Sequence, residues 1–157
     1  MNLVIREFRA GDANRLKQIT VESFVGVTLE QDIEAALGTL AGHNWQWRKA
    51  RHIDDDIAAN PGGIFVAEVD GQVVGYVTTR VDREGGKGRI PNLAVTKSAR
   101  GAGLGRKLLE RALEYFRDLG LEYALIETMA QNTTGYRLYT SCGFLEVARQ
   151  VHFSRRL

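Results

Sequence analysis

The sequence predicts an α/β protein of mixed α+β type: a central mixed, mostly antiparallel β-sheet with helices on both faces. Three observations carry this. Ile64–Val69 and Gln72–Val81 are strand-like runs flanking Asp70-Gly71, a residue pair favoured in type I′ hairpin turns. The strand-like Arg89–Val95 runs through a glycine-rich loop into a strongly amphipathic helix. The elements follow in the order ββ, β, α, β, α, ββ, which a layered sheet-and-helix architecture satisfies. At 157 residues, one domain spanning 1–157 is the expectation.

In chain order, Leu3–Phe8 reads as an opening strand, and Ala10-Gly11-Asp12 breaks it. Asp12 is placed to cap a helix that carries Ala13, Leu16, Ile19 and Thr20 on one face. Thr28 with Gln31 resembles a capping box before Leu29, Ile33, Ala36 and Leu37. From there to Asn60 the pattern is poor, with Trp45, Trp47 and a mixed-charge run Arg48–Asp56. Asn60-Pro61-Gly62-Gly63 closes that segment as a loop. Asp82–Gly88 is expected to be an exposed connection. Pro91, which lacks an amide donor, suggests a break in pairing that opens a slot in the sheet.

The helix after the glycines presents Leu104, Leu108, Leu109, Ala112, Tyr115 and Phe116 on one face and stops at Gly120. Leu121–Thr128 is a strand, and Asn132 caps a short helix that Gly143 ends. Phe144–Ala148 and Val151–Arg156 are expected as a final pair of strands.

Arg100-Gly101-Ala102-Gly103-Leu104-Gly105-Arg106 is the stretch that points to chemistry. A strand, a glycine loop and a helix start aim several backbone N–H groups and a positive dipole end at one point. Two readings stand: an anion site for a pyrophosphate, with Arg100 and Arg106 beside it, or a tight turn before a helix. A dinucleotide fingerprint fails because Arg106 stands where its third glycine belongs. A nucleotide-triphosphate loop fails because Arg106-Lys107-Leu108 replaces Gly-Lys-Ser/Thr.

A net charge of +2 offers no basic field for nucleic acid. The single Cys142 cannot form an internal disulfide, Met1–Arg9 carries charges unlike a secretory signal, and no apolar run approaches the roughly 20 residues of a membrane span. A cytoplasmic protein without membrane partners is the expectation. His43, His52 and His152 lack metal-ligand spacing, so no metal is expected.

Several of these runs together carry a resemblance. Arg100 to Gly105 fits the Gln/Arg-x-x-Gly-x-Gly/Ala signature of the GNAT superfamily of acyl-CoA-dependent N-acyltransferases, and Asn92-Leu93-Ala94-Val95 is similar to the strand end before it. Asn132 to Tyr139 matches the family's Asn-x-x-Ala-x-x-Leu-Tyr run with Gly135 in place of Ala, and Gly143-Phe144 matches its closing pair. The resemblance is strong over residues 64–153 and thin over 24–60. It implies a V-shaped splay between two parallel strands, Arg89–Val95 and Leu121–Thr128, that admits acetyl-CoA. It further implies that the backbone of Leu93, Ala94 and Val95 pairs with the pantetheine arm. The loop Arg100, Gly101, Ala102, Gly103, Leu104, Gly105, Arg106 would wrap the pyrophosphate, and Asn132 would touch the cofactor.

Tyr139, by the same resemblance, aims its hydroxyl at the thioester sulfur, where a phenol can protonate the departing thiolate; the alternative is an aromatic packed on a helix face. Many family members place a glutamate on the strand before the loop, where this chain supplies only Asn92. Glu127 is the candidate base in its stead, against a solvated strand-end carboxylate; a water chain is the other candidate. Glu127 to Asn132 is similar to the same stretch of ribosomal-protein N-terminal alanine acetyltransferases, with Met129 departing from their usual Arg. Trp45 and Trp47 lie in the segment that usually covers the acceptor, as an aromatic wall or as helix packing. Asp54-Asp55-Asp56 is either a cation attractor or a solvated face.

The function expected is acetyl transfer from acetyl-CoA directly to a primary amine of a small molecule or a peptide N-terminus, by an enzyme that works alone or as a homodimer. The alternatives are a non-catalytic acyl-CoA sensor and a binder of another phosphate ligand.

Overall fold

The computed structural model describes residues 2–157. The chain runs β1 (Leu3–Glu7), α1 (Ala13–Ser23), α2 (Leu29–Leu37), α3 (Trp45–Ala59), β2 (Phe65–Val69), β3 (Gln72–Val77), β4 (Arg80–Asp82), β5 (Lys87–Ile90), β6 (Leu93–Val95), α4 (Leu104–Asp118), β7 (Tyr123–Ile126) and α5 (Thr133–Ser141). Strands β1, β2, β3 and β6 form an antiparallel sheet in that order, and β4, β5 and β7 form a second, with β5 and β7 parallel. The β2–β3 hairpin turns at Asp70 and Gly71, both at positive φ (50° and 82°), as a type I′ turn requires.

The two sheets are joined where two strands break side by side. β3 passes into β4 at Thr78-Thr79, and β5 passes into β6 at Pro91-Asn92. One ladder bond bridges the break, Thr78 N–H to Asn92 C=O at 2.9 Å. β7 follows β5 from Lys87↔Tyr123 to Ile90↔Ile126, and β6 is paired only with β3. The parallel strands therefore part just at Pro91, and a slot opens between β6 and the chain beyond β7.

Alternation along β2 supplies both cores. Val66 faces a cluster with Leu16 and Ile19 of α1, Ile53 of α3, and Tyr76. Phe65 and Ala67 face the other side, with Leu108, Leu109, Ala112 and Phe116 of α4. Helices thus cover both faces of the sheet, as predicted.

Three local expectations are corrected, and one blank stretch gains an element. Asp12 precedes α1 without capping it: its carboxylate accepts from Arg6 Nη1 and Nη2 (2.9 and 3.0 Å) and from the Arg9 amide (2.8 Å). Thr28 makes no side-chain cap on α2, and Gln31 instead accepts from Gly26 N–H at 2.6 Å. Residues 144–157, expected as two strands, form no strand, and β7 is paired on one side only. The mixed-charge run, for which the sequence pattern assigns no element, is the middle of α3. That helix is started by Asn44, whose Oδ1 accepts from Trp47 N–H at 2.9 Å.

Candidate active site

The slot wall on the β6 side is set by register. Thr96 N–H donates to Val74 C=O at 2.7 Å and Asn92 C=O accepts from Thr78, so the even-numbered residues of this stretch turn their peptide groups toward β3. Leu93 and Val95 turn theirs into the slot. Ala94 pairs with Tyr76 in the ladder, so its peptide groups face β3 rather than the slot. Of the slot-facing groups, Val95 C=O accepts from Arg100 Nε at 3.1 Å and from Ser23 Oγ at 3.2 Å.

The loop reaches α4 through Gly101 and Gly103, at φ 87° and 76°. An L-residue there is strained, and a Cβ at either position would meet nothing within 4 Å, so the loop faces open space. The α4 ladder begins with Lys107 N–H donating to Gly103 C=O (3.1 Å), which leaves the amides of Leu104, Gly105 and Arg106 outside it. Ala102 lies within the same loop. At its foot, buried Thr96 carries a hydroxyl oxygen with no partner among the described residues. Unclaimed amides, a positive helix end and an orphaned buried hydroxyl fit an anionic ligand with a pyrophosphate. Arg106 is less available, since its Nη2 donates to Ser141 Oγ at 2.7 Å.

α5 forms the other side of the loop, with Gly105 packed beneath Leu138. Asn132 caps α5, accepting from Gly135 N–H at 3.0 Å and donating Nδ2 to Thr128 Oγ1 at 2.8 Å. Both ends of its amide are thus engaged locally. Gly135 is what permits this: a Cβ there would sit 2.5 Å from Asn132 Nδ2. Tyr139, one turn further on, packs against the α4-side core and lies edge-on to Phe144 with ring centroids 6.3 Å apart. Burial pushes its phenol up to about 12, so the hydroxyl stays protonated and able to donate across the neutral range. Glu127 follows β7 directly; its Oε1 accepts from Arg89 Nε at 2.8 Å, and its side chain is half exposed.

A polar cluster at the sheet break is the part sequence reasoning missed. Buried Asn92 accepts from Lys49 Nζ at 2.7 Å and donates to Asp56 Oδ2 at 2.6 Å. Asp56 also accepts from Thr78 Oγ1 (2.8 Å) and Arg80 Nη2 (3.1 Å). Burial pushes Lys49 down to about 8, against the opposing pull of Asp56 and Glu30, while its ammonium sits 4.2 Å from the Phe24 ring centroid. His52 lies between Lys49 (3.3 Å) and Glu30 (3.2 Å), and burial together with Lys49 lowers its pKa. The available signal is Asn44 as a cap followed by Trp45, Lys49, Ile53 and Asp56 at helical spacing. Two members of that buried face are charged, so apolar periodicity does not reveal it.

The remaining candidates are divided between interior and surface. Trp45 is buried, and Trp47 is stacked on His43 at 3.4 Å with Arg51 4.5 Å from its ring. The acidic run is divided: Asp56 is interior, and Asp54 pairs with Lys17 at 2.7 Å. No cluster of three metal-ligating side chains occurs among the described residues, and no helix among them is long and apolar enough to cross a membrane. A cavity of about 460 Å³ lined by Phe8, Ala10, Ala13, Ile57, Pro61 and Gly62 holds no acid, base or nucleophile.

A splayed sheet with a glycine loop and helix start at the slot defines a GNAT-type fold. The chain belongs to the Acetyltransferase (GNAT) family, whose model matches residues 26–144. It is 31% identical over 156 residues to a mycothiol acetyltransferase of Stackebrandtia nassauensis, covering 94% of this chain and 51% of that protein. The chain thus spans about half the length of that curated relative. Among solved structures, it superposes on a PaiA N-acetyltransferase of Thermoplasma acidophilum in complex with coenzyme A, with TM-score 0.74 and 19% identity over 92% of this chain and 91% of that one. The ribosomal-protein-S18-alanine N-acetyltransferase of Escherichia coli gives TM-score 0.68 and 19% identity over 94% and 80% of the two chains.

Proposed function

We propose that the protein transfers an acetyl group from acetyl-CoA directly to a primary amine of a small molecule or a peptide N-terminus. The observation that carries this is the coincidence of slot and loop. The strands part at Pro91, and the open loop with unclaimed amides stands at the end of the β6 wall. Support also comes from the family match, from the mycothiol acetyltransferase relative and from the coenzyme A-bound fold neighbour.

Acetyl-CoA, when bound, supplies an activated acyl group on a thiol of ordinary acidity. The peptide groups of Leu93 and Val95 hold the pantetheine arm as an added strand would be held, and Ala94 keeps that edge in register. Arg100, whose Nε donates to Val95 C=O at 3.1 Å, would lend its positive charge to the phosphates. The amides from Gly101 to Arg106 hold the pyrophosphate. Asn132, through its cap, fixes α5 beside the slot, and Tyr139 holds its proton for the departing sulfur. Glu127 takes the proton of the acceptor ammonium, directly or through water. Positioning carries much of the rate, because the reactants need only be held in line.

The test is thiol release from acetyl-CoA with a panel of small amines and peptides bearing free N-termini, alongside calorimetric coenzyme A binding. Acetylated amine and stoichiometric thiol would establish the reaction. Tight coenzyme A binding without turnover on either panel would favour an acyl-CoA sensor, and absence of binding would overturn the phosphate assignment.

A further inference from the structure

The sheet of β4, β5 and β7 has one apolar face and one charged face. Val81, Ile90, Ala124 and Ile126 belong to the α4-side core, and a Cβ on Gly88 would strike the Phe116 ring. Alternation turns their neighbours the other way, so Arg80, Arg89, Leu125 and Glu127 share the opposite face. Leu125 belongs to neither core cluster, and the side chains of Arg80, Arg89 and Glu127 are 41%, 38% and 52% exposed.

The charges on this open face form a row. Asp56 reaches in from α3 and accepts from Arg80 Nη2 at 3.1 Å, and Glu127 accepts from Arg89 Nε at 2.8 Å. Arg80 and Arg89 are register partners on β4 and β5, so they stand directly opposite one another. The order across the sheet is therefore Asp56, Arg80, Arg89, Glu127, with the acids at the ends and the two cations meeting in the middle. Like charges directly opposite on neighbouring strands repel. Asp56 does not answer Arg80 alone, because it also accepts from Thr78 and Asn92 and attracts Lys49. Each guanidinium makes one side-chain hydrogen bond among the described residues, with its other donors uncommitted. Arg80 Nε is buried and has no partner among them, a donor that is costly to leave unpaired. Lys87, the next charge along β5 on this face, stands opposite Asp82 and adds no excess of either sign.

This row lies at the slot. Arg80 follows the Thr78-Thr79 break, Arg89 precedes Pro91 by two residues, and Glu127 follows the β7 wall. Two forked donors side by side suit a planar carboxylate. A dianionic phosphate would add a second negative charge close to Asp56 and Glu127, which repel it. We propose that the acceptor amine bears a carboxylate, which Arg80 and Arg89 bind between them so that the amino group lies beside Glu127. This deepens the acetyl-transfer reading and rests on it. Selection is by charge: a carboxylate restores the alternation of signs along the row, and a neutral group leaves the two guanidiniums facing each other. Two sources share this chemistry, a free amino acid and a peptide whose second residue is acidic.

Thiol release from acetyl-CoA tests it, with the common amino acids each set against its carboxamide, and with amidated tripeptides carrying Glu or Gln second. The acid is expected to exceed its amide in kcat/KM by about tenfold or more in one of the two series, which identifies the source. Arg80→Gln should abolish most of that preference through KM, and Arg80→Lys, which keeps the charge without the fork, should recover part of it. Binding is read apart from turnover by titrating the coenzyme A-loaded protein with the same compounds and following the arginine Nε–Hε resonances. The Arg80 and Arg89 signals should move with the acid and stay with the amide. Should Arg80→Gln fail to melt as a folded protein, the wild-type comparison and the resonances decide. Equal kcat/KM for acid and amide in both series would overturn the proposal. A folded Arg80→Gln with the full preference, or arginine signals that no acid moves, would do the same. Signals that move without turnover on any acceptor would instead overturn acetyl transfer and leave the carboxylate site standing.

Discussion

Replacing Lys49 by Met isolates the energetic role of the cluster at the sheet break. Lys49 is 7% exposed, and burial pushes it down to about 8 from the 10.5 of a free lysine. Below pH 8 both folded and unfolded chains hold the proton, so the cost of burying the charge is constant. Between pH 8 and 10.5 the unfolded chain binds a proton that the native state does not, so stability rises with pH. The slope is about 1.4 kcal/mol per pH unit, for a gain of about 3 kcal/mol across the window. Above it, neither state is charged.

Methionine keeps much of the length and volume and cannot titrate. It removes the burial cost at pH 7 but also the bond to Asn92, a loss of about 1–2 kcal/mol, and the contact with Phe24. Asp56 keeps Arg80, Thr78 and Asn92 as partners. The variant is therefore expected within about 2 kcal/mol of the wild type at pH 7, without the rise between pH 8 and 10. Urea unfolding of both proteins at intervals from pH 7 to 10 measures this, because other titrations are common to the two. The His52 resonances supply a second readout: Lys49 lowers its pKa, so the variant should raise it. Parallel stability curves for the two proteins would refute the reasoning and make Lys49 a charged partner of Asp56 throughout.

Three further outcomes are expected. Tyr139→Phe should lower turnover roughly 10- to 1,000-fold with coenzyme A affinity and melting temperature nearly unchanged, whereas wild-type turnover on the same amine would leave Tyr139 a packing residue. Gly103→Asp should weaken acetyl-CoA binding by at least tenfold in calorimetry, since a carboxylate enters the open face of the loop; its left-handed backbone adds a strain cost of about 1 kcal/mol, and unchanged affinity would move the phosphate site elsewhere. Gly135→Ala should displace the Asn132 amide, losing a cap of about 1 kcal/mol while gaining a similar amount of helix propensity. Stability should thus stay near wild type while the Asn132 side-chain amide shifts in the NMR spectrum, and an unmoved amide would show that α5 yields instead.

Features set by neighbouring residues are legible in the sequence. The Asp70-Gly71 turn, the α4 face from Leu104 to Phe116, the Asn132 cap and the break at Pro91 each follow from spacing or backbone chemistry within a few positions. The glycine loop belongs with them, because alternate glycines before an amphipathic helix state their own geometry. α3 is not legible, because its inward face includes Lys49 and Asp56, which only partners far along the chain make tolerable inside.

Site details divide in the same way. The break at Pro91 marks where a slot edge begins, but that Ala94 turns its peptide groups to β3 cannot be read from it, since facing is a property of register with another strand. The engagement of Asn132 with Thr128 and of Glu127 with Arg89 likewise depends on where side chains meet. At the C-terminus the alternation from Leu145 to Leu157 predicts strands, and the alternation is real. Period two suits a strand with one face covered, but pairing is decided by contacts outside so short a window, and residues 145–157 form no strand. By itself the sequence determined most of the elements and the geometry of the glycine loop, because these are short-range properties of the chain. Only the tertiary structure decided the buried Lys49–Asn92–Asp56 cluster, the facing of β6 and the open edge of β7, because burial and pairing are relations between residues that the sequence holds far apart.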